Sequence, residues 1–324
     1  MVPGESIAET TSSHESSCLS TFAVIILVVI VSYVTKPDHV CTRVNATPAV
    51  VDGGISNAFA RATEKAALGT RVLSTDPWLV VVDDFCTEQE ADALVQTVTQ
   101  QNSFVDSEIN NDGGAFIRTS SSLWCDTPEC YDAPLVQRLM MRMSDLTATP
   151  VANAEVLQLL RYTPGQQYRS HHDFIGAADA SAAGGRVYSF VLFLSTPEEG
   201  GELLFTDINV SVPARKGAAV LWPSLMDEDL RLPELHTHHA SRPVVRGTKL
   251  AAVTWIRQHD YRTLALERRC PPRTYTATQS EPPLLLLPAY LAARKRAGKH
   301  TRVPPSLLAK IETMHRSHVG AHAG

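Results

Sequence analysis

The chain lacks the excess of one charge that marks a protein built to coat nucleic acid or anionic lipid. Its 34 acidic and 29 basic residues leave a formal net charge of -5, which gives polyanions no general attraction. It is also poor in thiolate pairs. Of six cysteines, only Cys125 and Cys130, in "LWCDTPECYD", lie close together. A structural zinc site built on cysteines is therefore not expected. The lone pair could close a small loop as a disulfide, which would suit an oxidising compartment, or stay as two thiols. A third absence concerns the second half: past about residue 154 no helical pattern is long enough to cross between parallel strands. The expected sheet is antiparallel.

There is one long uncharged apolar run, "CLSTFAVIILVVIVSYV" (Cys18 to Val34). It is at the short end of what spans a hydrocarbon core of about 30 Å. The acidic, Ser/Thr-rich flank at 1–17 is unlike the basic start of a signal peptide. The run at 18–34 therefore reads as a single-pass anchor in preference to a cleaved signal or a core helix. Topology signals conflict. Glu5, Glu9 and Glu15 precede the run while Lys36 and Arg43 follow it, which by the positive-inside tendency leaves the bulk of the chain in the cytosol. The sequons Asn45-Ala46-Thr47 and Asn209-Val210-Ser211 argue for the other side.

Weak periodicity at 35–75 reads as a stem. Order is expected from residue 76, with "WLVVVDDF" a buried strand. Thr87 and Glu90 have the spacing of a capping box, and "PLVQRLMMRMSDLT" (134 to 147) repeats apolar residues at helical intervals. Residues 76–150 thus form a supporting part with helices. In 151–260 the runs "EVLQLLRY", "RVYSFVLFLS", "GELLFTD", "AAVLWP" and "KLAAVTWIR" alternate with "TPGQ", "AAGG", "PEEGG" and "PVVRG". The fold class expected is α+β, a jelly-roll (double-stranded β-helix, cupin-like) core with N-terminal supporting helices. Residues 261–324 are basic and Pro-rich, and read as a mobile tail with one short helix at "PPLLLLPAYLAA".

Two histidine clusters carry the chemistry. In "YRSHHDF" (Tyr168 to Phe174) strand parity puts His171 and Asp173 on one face, and turns His172 the other way. His172 is expected to pack or to support its neighbours. An H-x-D pair plus a distant histidine makes a 2-His-1-carboxylate set, which leaves positions open on Fe(II). Alone, such a pair is more often a surface turn. The second cluster, "ELHTHHASRP", offers His236, His238 and His239, and parity does not choose among them. It feeds "KLAAVTWIR", where Lys249 shares a face with Ala251, Val253 and Trp255. A lysine on that apolar face either turns to solvent or meets the far carboxylate of a dicarboxylic co-substrate.

From Asp76 to His259 these residues resemble the Fe(II)- and 2-oxoglutarate-dependent prolyl 4-hydroxylases. The resemblance runs through "IRTSSSLWC", "NAEVLQLLRYTPGQQYRSHHDF", "GGRVYSFVLFLSTPEEGGELLF" and "HASRPVVRGTKLAAVTWI". The family's Y-x-x-H-x-D falls on Tyr168, His171 and Asp173. Its distal H-x3-P-V-x2-G-x-K falls on His239, Pro243, Val244, Gly247 and Lys249, which sets His236 and His238 aside as loop residues.

The resemblance implies that His171, Asp173 and His239 ligate iron and that Lys249 anchors 2-oxoglutarate. It places Tyr162 and Trp255 beside the co-substrate, and Arg118, Ser120, Glu155, Tyr168 and Arg186 on the peptide side. Leu203, Arg257 and the stretch "ASR" depart from the family pattern. The activity implied is hydroxylation of peptidyl proline to 4-hydroxyproline, with O2 consumed, succinate and CO2 released, and ascorbate keeping the iron reduced. The implied partner is a proline-containing peptide or protein and not nucleic acid. The implied location is the endoplasmic reticulum or Golgi membrane, with the catalytic part lumenal. Rival readings are a lysyl hydroxylase-like or nucleic-acid-repair oxygenase, whose clamp is usually arginine, a silent jelly roll that binds proline-rich peptides, and a zinc-binding or hydrolytic cupin.

Overall fold

The computed structural model describes residues 47–64, 69–100, 103–107, 109–110, 116–175, 182–263 and 284–312. Contacts divide the chain after Val40, and every described residue belongs to the second unit, Cys41–Gly324. The apolar run at 18–34 lies outside the described residues, as do the sequon at Asn45 and the last residues of the tail. Among the described residues no helix is long and apolar enough to cross a membrane.

Helix α1 (Gly54–Glu64) buries Ile55, Ala58, Phe59 and Ala62, one helical stripe. It is followed by β1 (Thr70–Thr75) and β2 (Trp78–Val82). Helix α2 (Glu88–Thr99) starts at the expected capping box: Glu90 N–H donates to Thr87 Oγ1 at 3.1 Å, and Thr87 N–H to Glu90 Oε2 at 3.0 Å. Then come β3 (Val105–Asp106), β4 (Ile109–Asn110), β5 (Phe116–Arg118), β6 (Ser121–Trp124), α3 (Pro128–Tyr131) and α4 (Pro134–Thr147). The last of these coincides with the helix read from sequence. The strands continue as β7 (Gln158–Tyr162), β8 (Tyr168–His171), β9 (Arg186–Phe193), β10 (Glu199–Gly200), β11 (Leu203–Phe205) and β12 (Val210–Val212). After β13 (Ala219–Pro223), β14 (His239–Ser241), β15 (Val244–Arg246) and β16 (Lys249–Arg257) comes helix α5 (Leu287–Arg296).

The strands form an eight-stranded sheet, β1-β2-β13-β9-β16-β7-β6-β3, a six-stranded sheet, β12-β11-β14-β8-β5-β4, and the small pair β10-β15. This is the jelly-roll core with supporting helices. Strand parity divides the hydrophobic residues between two cores. On one face of the large sheet Val80, Val82, Phe190, Leu192, Leu221 and Ile256 pack with α1, α2 and α4. On the other, Val81, Val191, Phe193, Val220, Trp222, Ala251 and Val253 meet Leu203, Phe205 and Val212 of the smaller sheet. Burial on both faces explains why "WLVVV" and "RVYSFVLF" read as unbroken apolar runs. In "PEEGG", Gly200 (φ +80) lets β10 approach β15, because a Cβ there would sit 2.4 Å from the Pro243 carbonyl oxygen.

Two expectations need correction. The stretch 35–75, read as a stem, is part of the packed domain over 47–64 and 69–75. Phe59 of α1 is fully buried and stacks on Trp78 at 5.5 Å between ring centroids. The helix is short and mostly alanine and polar residues, so its pattern is weak until its partners are known. The tail at 261–324 is likewise docked over 284–312. Tyr290, Ala293 and Leu307 pack with Met226, Leu232 and Leu235, and Ser306 N–H and Oγ–H donate to the two carboxylate oxygens of Asp207, both at 2.8 Å. The bridge between Cys125 and Cys130 is present.

If α1 belongs to the core, Phe59→Ala should lower the unfolding free energy of the domain by about 3–5 kcal/mol, as for other buried aromatic truncations. Chemical denaturation measures it. A loss under about 1 kcal/mol, within the range of surface changes, would mean that the helix is not docked.

Candidate active site

The two distant histidines meet because β8 and β14 are ladder neighbours in which His171 and His239 are direct partners. Asp173 lies just past the end of β8, on the same side as His171. Ligand atoms of His171, Asp173 and His239 all fall within 4.8 Å of one another, and all three residues are buried. Asp173 Oδ1 is 3.9 Å from His171 Nε2, and Oδ2 is 3.6 Å from His239 Nε2.

Hydrogen bonds behind the triad set its protonation. His171 Nδ1 donates to the Arg169 carbonyl at 2.9 Å, and His239 Nδ1 to the Thr237 carbonyl at 3.0 Å. Both Nε2 lone pairs therefore face Asp173. Burial, reinforced by the neighbouring His239, pushes His171 down to about 3, and burial lowers His239 as well. Burial works against the Asp173 charge, yet the nearby Arg186 and the Ser189 hydroxyl hold its carboxyl below the usual range. Ser189 Oγ–H donates to Asp173 Oδ2 at 2.6 Å. Two neutral imidazoles and an ionised carboxylate, with their outer atoms tied back, are the donor set that suits Fe(II) with open positions. The residues present fit that ion.

Asp173 and the two histidines line one cavity together with Lys249, Tyr162 and Trp255. The face predicted for "KLAAVTWIR" is the face that lines it: Lys249, Ala251, Val253 and Trp255. Lys249 is buried, with Nζ donating to Ser241 Oγ at 2.7 Å and lying 5.1 Å and 5.5 Å from the ring centroids of Tyr162 and Phe193. Among the described residues no carboxylate forms an ion pair with it. Burial lowers its ammonium to about 7, with Glu202 partly opposing. A cation held at such cost is a receptor for an anion that enters the cavity. Tyr162, the ladder partner of Lys249, is also buried.

His236 and His238 stand apart, as the resemblance implied. His236 Nδ1 contacts the Tyr290 hydroxyl at 2.5 Å, and His238 Nδ1 faces Asp207 Oδ2 at 3.1 Å. On the peptide side, Arg118 and Tyr168 line the cavity, and Arg118 Nη2 is buried without a hydrogen-bond partner. Ser120 instead sits behind, accepting from Arg118 Nε at 2.8 Å. Arg186 lies 3.6 Å over the Trp255 ring centroid. Glu155 is not among the cavity's lining residues, which corrects its assignment as a peptide contact. It grips Arg186 with two hydrogen bonds, of 2.7 and 2.9 Å, and takes Arg257 Nε at 2.6 Å. That gives the departure at Arg257 a structural purpose: it is the second cation on a buried glutamate. The other departure, Leu203, is a wall of the cavity.

Sequence reasoning missed Ser189, Ser241, Trp222 and Trp124. Trp222 lies 4.7 Å from the His239 ring centroid, and Trp124 lines the cavity. Ser241 was findable, being two residues past His239 on the same strand face. Ser189 had only a faint signal, one hydroxyl in "RVYSFVLF".

Residues 157–257 match the 2OG-Fe(II) oxygenase superfamily. That stretch is an oxygenase domain by this match, and the relatives it resembles are named prolyl 4-hydroxylases. The oxygenase domain holds every member of the triad and the lysine. The chain is 33% identical over 146 residues to prolyl 4-hydroxylase subunit alpha-1 of Rattus norvegicus, covering 44% of this chain and 26% of that protein. It thus spans about a quarter of the length of that relative. With probable prolyl 4-hydroxylase 8 of Arabidopsis thaliana it is 28% identical over 214 residues, 59% of this chain and 72% of the relative. Among solved structures it is similar to the viral collagen prolyl hydroxylase of Paramecium Bursaria Chlorella virus-1 in its 2OG complex. There the identity is 25% and the TM-score 0.44, over 55% of this chain and 95% of that one.

Lys249 gives a pH dependence with a definite sign. It must be charged to receive a carboxylate, and in the free site it titrates near 7. A bound anion raises that value, so binding takes up a proton above pH 7. The Kd for 2-oxoglutarate should be flat below pH 7 and weaken by up to about tenfold per pH unit above it. Lys249→Met should weaken binding by about 10–100-fold, the worth of one hydrogen bond to a charged group. Calorimetric titration across pH 6 to 9 reads both. A Kd unchanged over that range, or unchanged in Lys249→Met, would contradict the role.

Proposed function

We propose that the chain is a dioxygenase that hydroxylates peptidyl proline to 4-hydroxyproline, with 2-oxoglutarate converted to succinate and CO2. The observation that carries this reading is the convergence of His171, Asp173, His239 and Lys249 on one buried cavity of the oxygenase domain. His171, Asp173 and His239 would hold Fe(II). When bound, the iron supplies, with 2-oxoglutarate and O2, the oxidising chemistry that delivers one oxygen atom to the substrate carbon. Ascorbate keeps it reduced.

This chain's residues position and protect. Lys249 and Ser241 take the distal carboxylate of 2-oxoglutarate and so orient its other end toward the triad. Val191, Leu203, Ala251 and Val253 line the space between and keep water from it. Arg118, with its free Nη2, and the Arg186–Trp255 stack face the peptide. An uncharged pyrrolidine ring suits these walls. The cavity's lining includes Arg118, Arg186 and Lys249, and among the described residues its one carboxylate is Asp173, already among the ligands. With Lys249 taken by 2-oxoglutarate and Arg186 matched by Glu155, a substrate ammonium would still meet the Arg118 guanidinium, which disfavours a lysyl substrate. The lysine clamp likewise disfavours the repair oxygenases.

We infer that Cys18–Val34 anchors the chain in the endoplasmic reticulum or Golgi membrane with the oxygenase domain lumenal. The Cys125–Cys130 bridge supports an oxidising side.

The test is incubation of the purified chain with Fe(II), 2-oxoglutarate, ascorbate and a panel of proline-rich peptides, read by mass spectrometry. A one-oxygen gain confined to proline is expected, stoichiometric with succinate and lost in His171→Ala. Tight 2-oxoglutarate binding without turnover on any peptide would favour the silent jelly roll. Oxygen found on lysine would overturn the proline assignment.

A further inference from the structure

The two metal-bearing segments are fastened to one turn. Glu234 opens the short helical turn Leu235–Thr237, and its carbonyl accepts from His172 Nε2 at 2.9 Å and from Thr237 Oγ1 at 2.8 Å. The tautomer of His172 is determined, because its Nδ1 accepts from Phe174 N–H at 2.8 Å and leaves Nε2 as the donor. His172 stands between His171 and Asp173, so this bond ties that stretch of chain to the turn. From the other end of the turn, the Thr237 carbonyl accepts from His239 Nδ1 at 3.0 Å. One turn thus holds the His239 ring directly and the His171–Asp173 segment through His172.

The turn is held in its own right from outside the oxygenase domain. The Glu234 carboxylate is buried and accepts from the Tyr290 hydroxyl at 2.8 Å and from Arg294 Nη1 at 3.5 Å. Both donors belong to α5, in the segment that sequence read as tail. His236 Nδ1 meets the same Tyr290 hydroxyl at 2.5 Å. Arg294 is locked in turn by Asp76 Oδ2 at 2.6 Å and by the His300 carbonyl at 2.6 Å. Tyr290 is fully buried among Met226, Leu232, Leu235 and Leu307. A charged glutamate in such a place needs these donors. None of the three side chains reaches the cavity, so support of the turn is what remains for them to do.

We propose that helix α5 is a positioning element of the metal centre, acting through Tyr290 and Arg294 on Glu234 and thence on the His172 and His239 hydrogen bonds. The proposal rests on the reading that His171, Asp173 and His239 hold a metal ion. Loss of the Tyr290 hydroxyl lets the turn shift, so that the Thr237 carbonyl no longer fixes the His239 ring.

Co(II) titration of the full chain, followed by the ligand-field absorption of the bound ion, tests this. Tyr290→Phe keeps the ring in its apolar niche and removes one donor, and Glu234→Gln keeps the shape and removes the charge. Should one variant fail to fold, the other decides. Each is expected to weaken Co(II) binding by about tenfold, the lower end of what partners of metal ligands cost, and to change the spectrum. Phe59→Leu, in the other core, serves as a destabilised control that keeps wild-type affinity and spectrum. Wild-type Co(II) affinity and spectrum in the folded Tyr290 or Glu234 variant would overturn the proposal. So would an equal loss in Phe59→Leu, which would reduce the effect to general stability. If the wild-type chain itself binds neither Co(II) nor Fe(II), the metal reading falls, and the proposal with it.

Discussion

Everything in the site depends on one ladder register, the pairing of His171 with His239 across β8 and β14. Side chains opposite one another in antiparallel strands are close by construction. A slip of one residue in either strand would send one imidazole to the far face of the sheet. The register is therefore the constraint from which the ligand geometry follows. The polar groups around it have the task of holding ring rotation once the strands are paired.

A second pairing does the same for the co-substrate end. Lys249 opposes Tyr162 across β16 and β7, and the large sheet carries this pair to face the smaller sheet with the triad. The cavity is the space between two sheets whose separation is set by Trp222, Phe205 and Phe193. Two networks of buried charge flank the site. Glu155 gathers Arg186 and Arg257 on the peptide side, and Glu234 gathers Arg294 and Tyr290 behind the triad. In each, a carboxylate taken out of water is matched by several donors, the condition on which buried ions are tolerated.

Much of this was legible in the sequence, for physical reasons that differ by residue. Period-two alternation identified His171 with Asp173, and Lys249 with Trp255, because strands project side chains by parity whatever surrounds them. The capping box at Thr87 and the helix at Pro134–Thr147 rest on local interactions and were equally readable. The choice of His239 over His236 and His238 needed the resemblance, since no local rule tells a ligand from its neighbours in a turn. The docking of α1 and α5 was hidden. Each buries only a narrow stripe, and the partners lie far away in sequence, as Arg294 and Asp76 show. Glu155 was placed on the peptide side because sequence cannot separate a residue that touches substrate from one that holds the residue that does.

The central claim is that the triad and Lys249 grip opposite ends of one co-substrate. It is tested most directly by crystals grown without oxygen in the presence of Fe(II) and 2-oxoglutarate, with anomalous diffraction at the iron edge. The account predicts an iron peak bounded by His171 Nε2, His239 Nε2 and Asp173, and a carboxylate on Lys249 Nζ. An iron peak at His236 or His238, or a 2-oxoglutarate whose distal carboxylate lies away from Lys249, would contradict it.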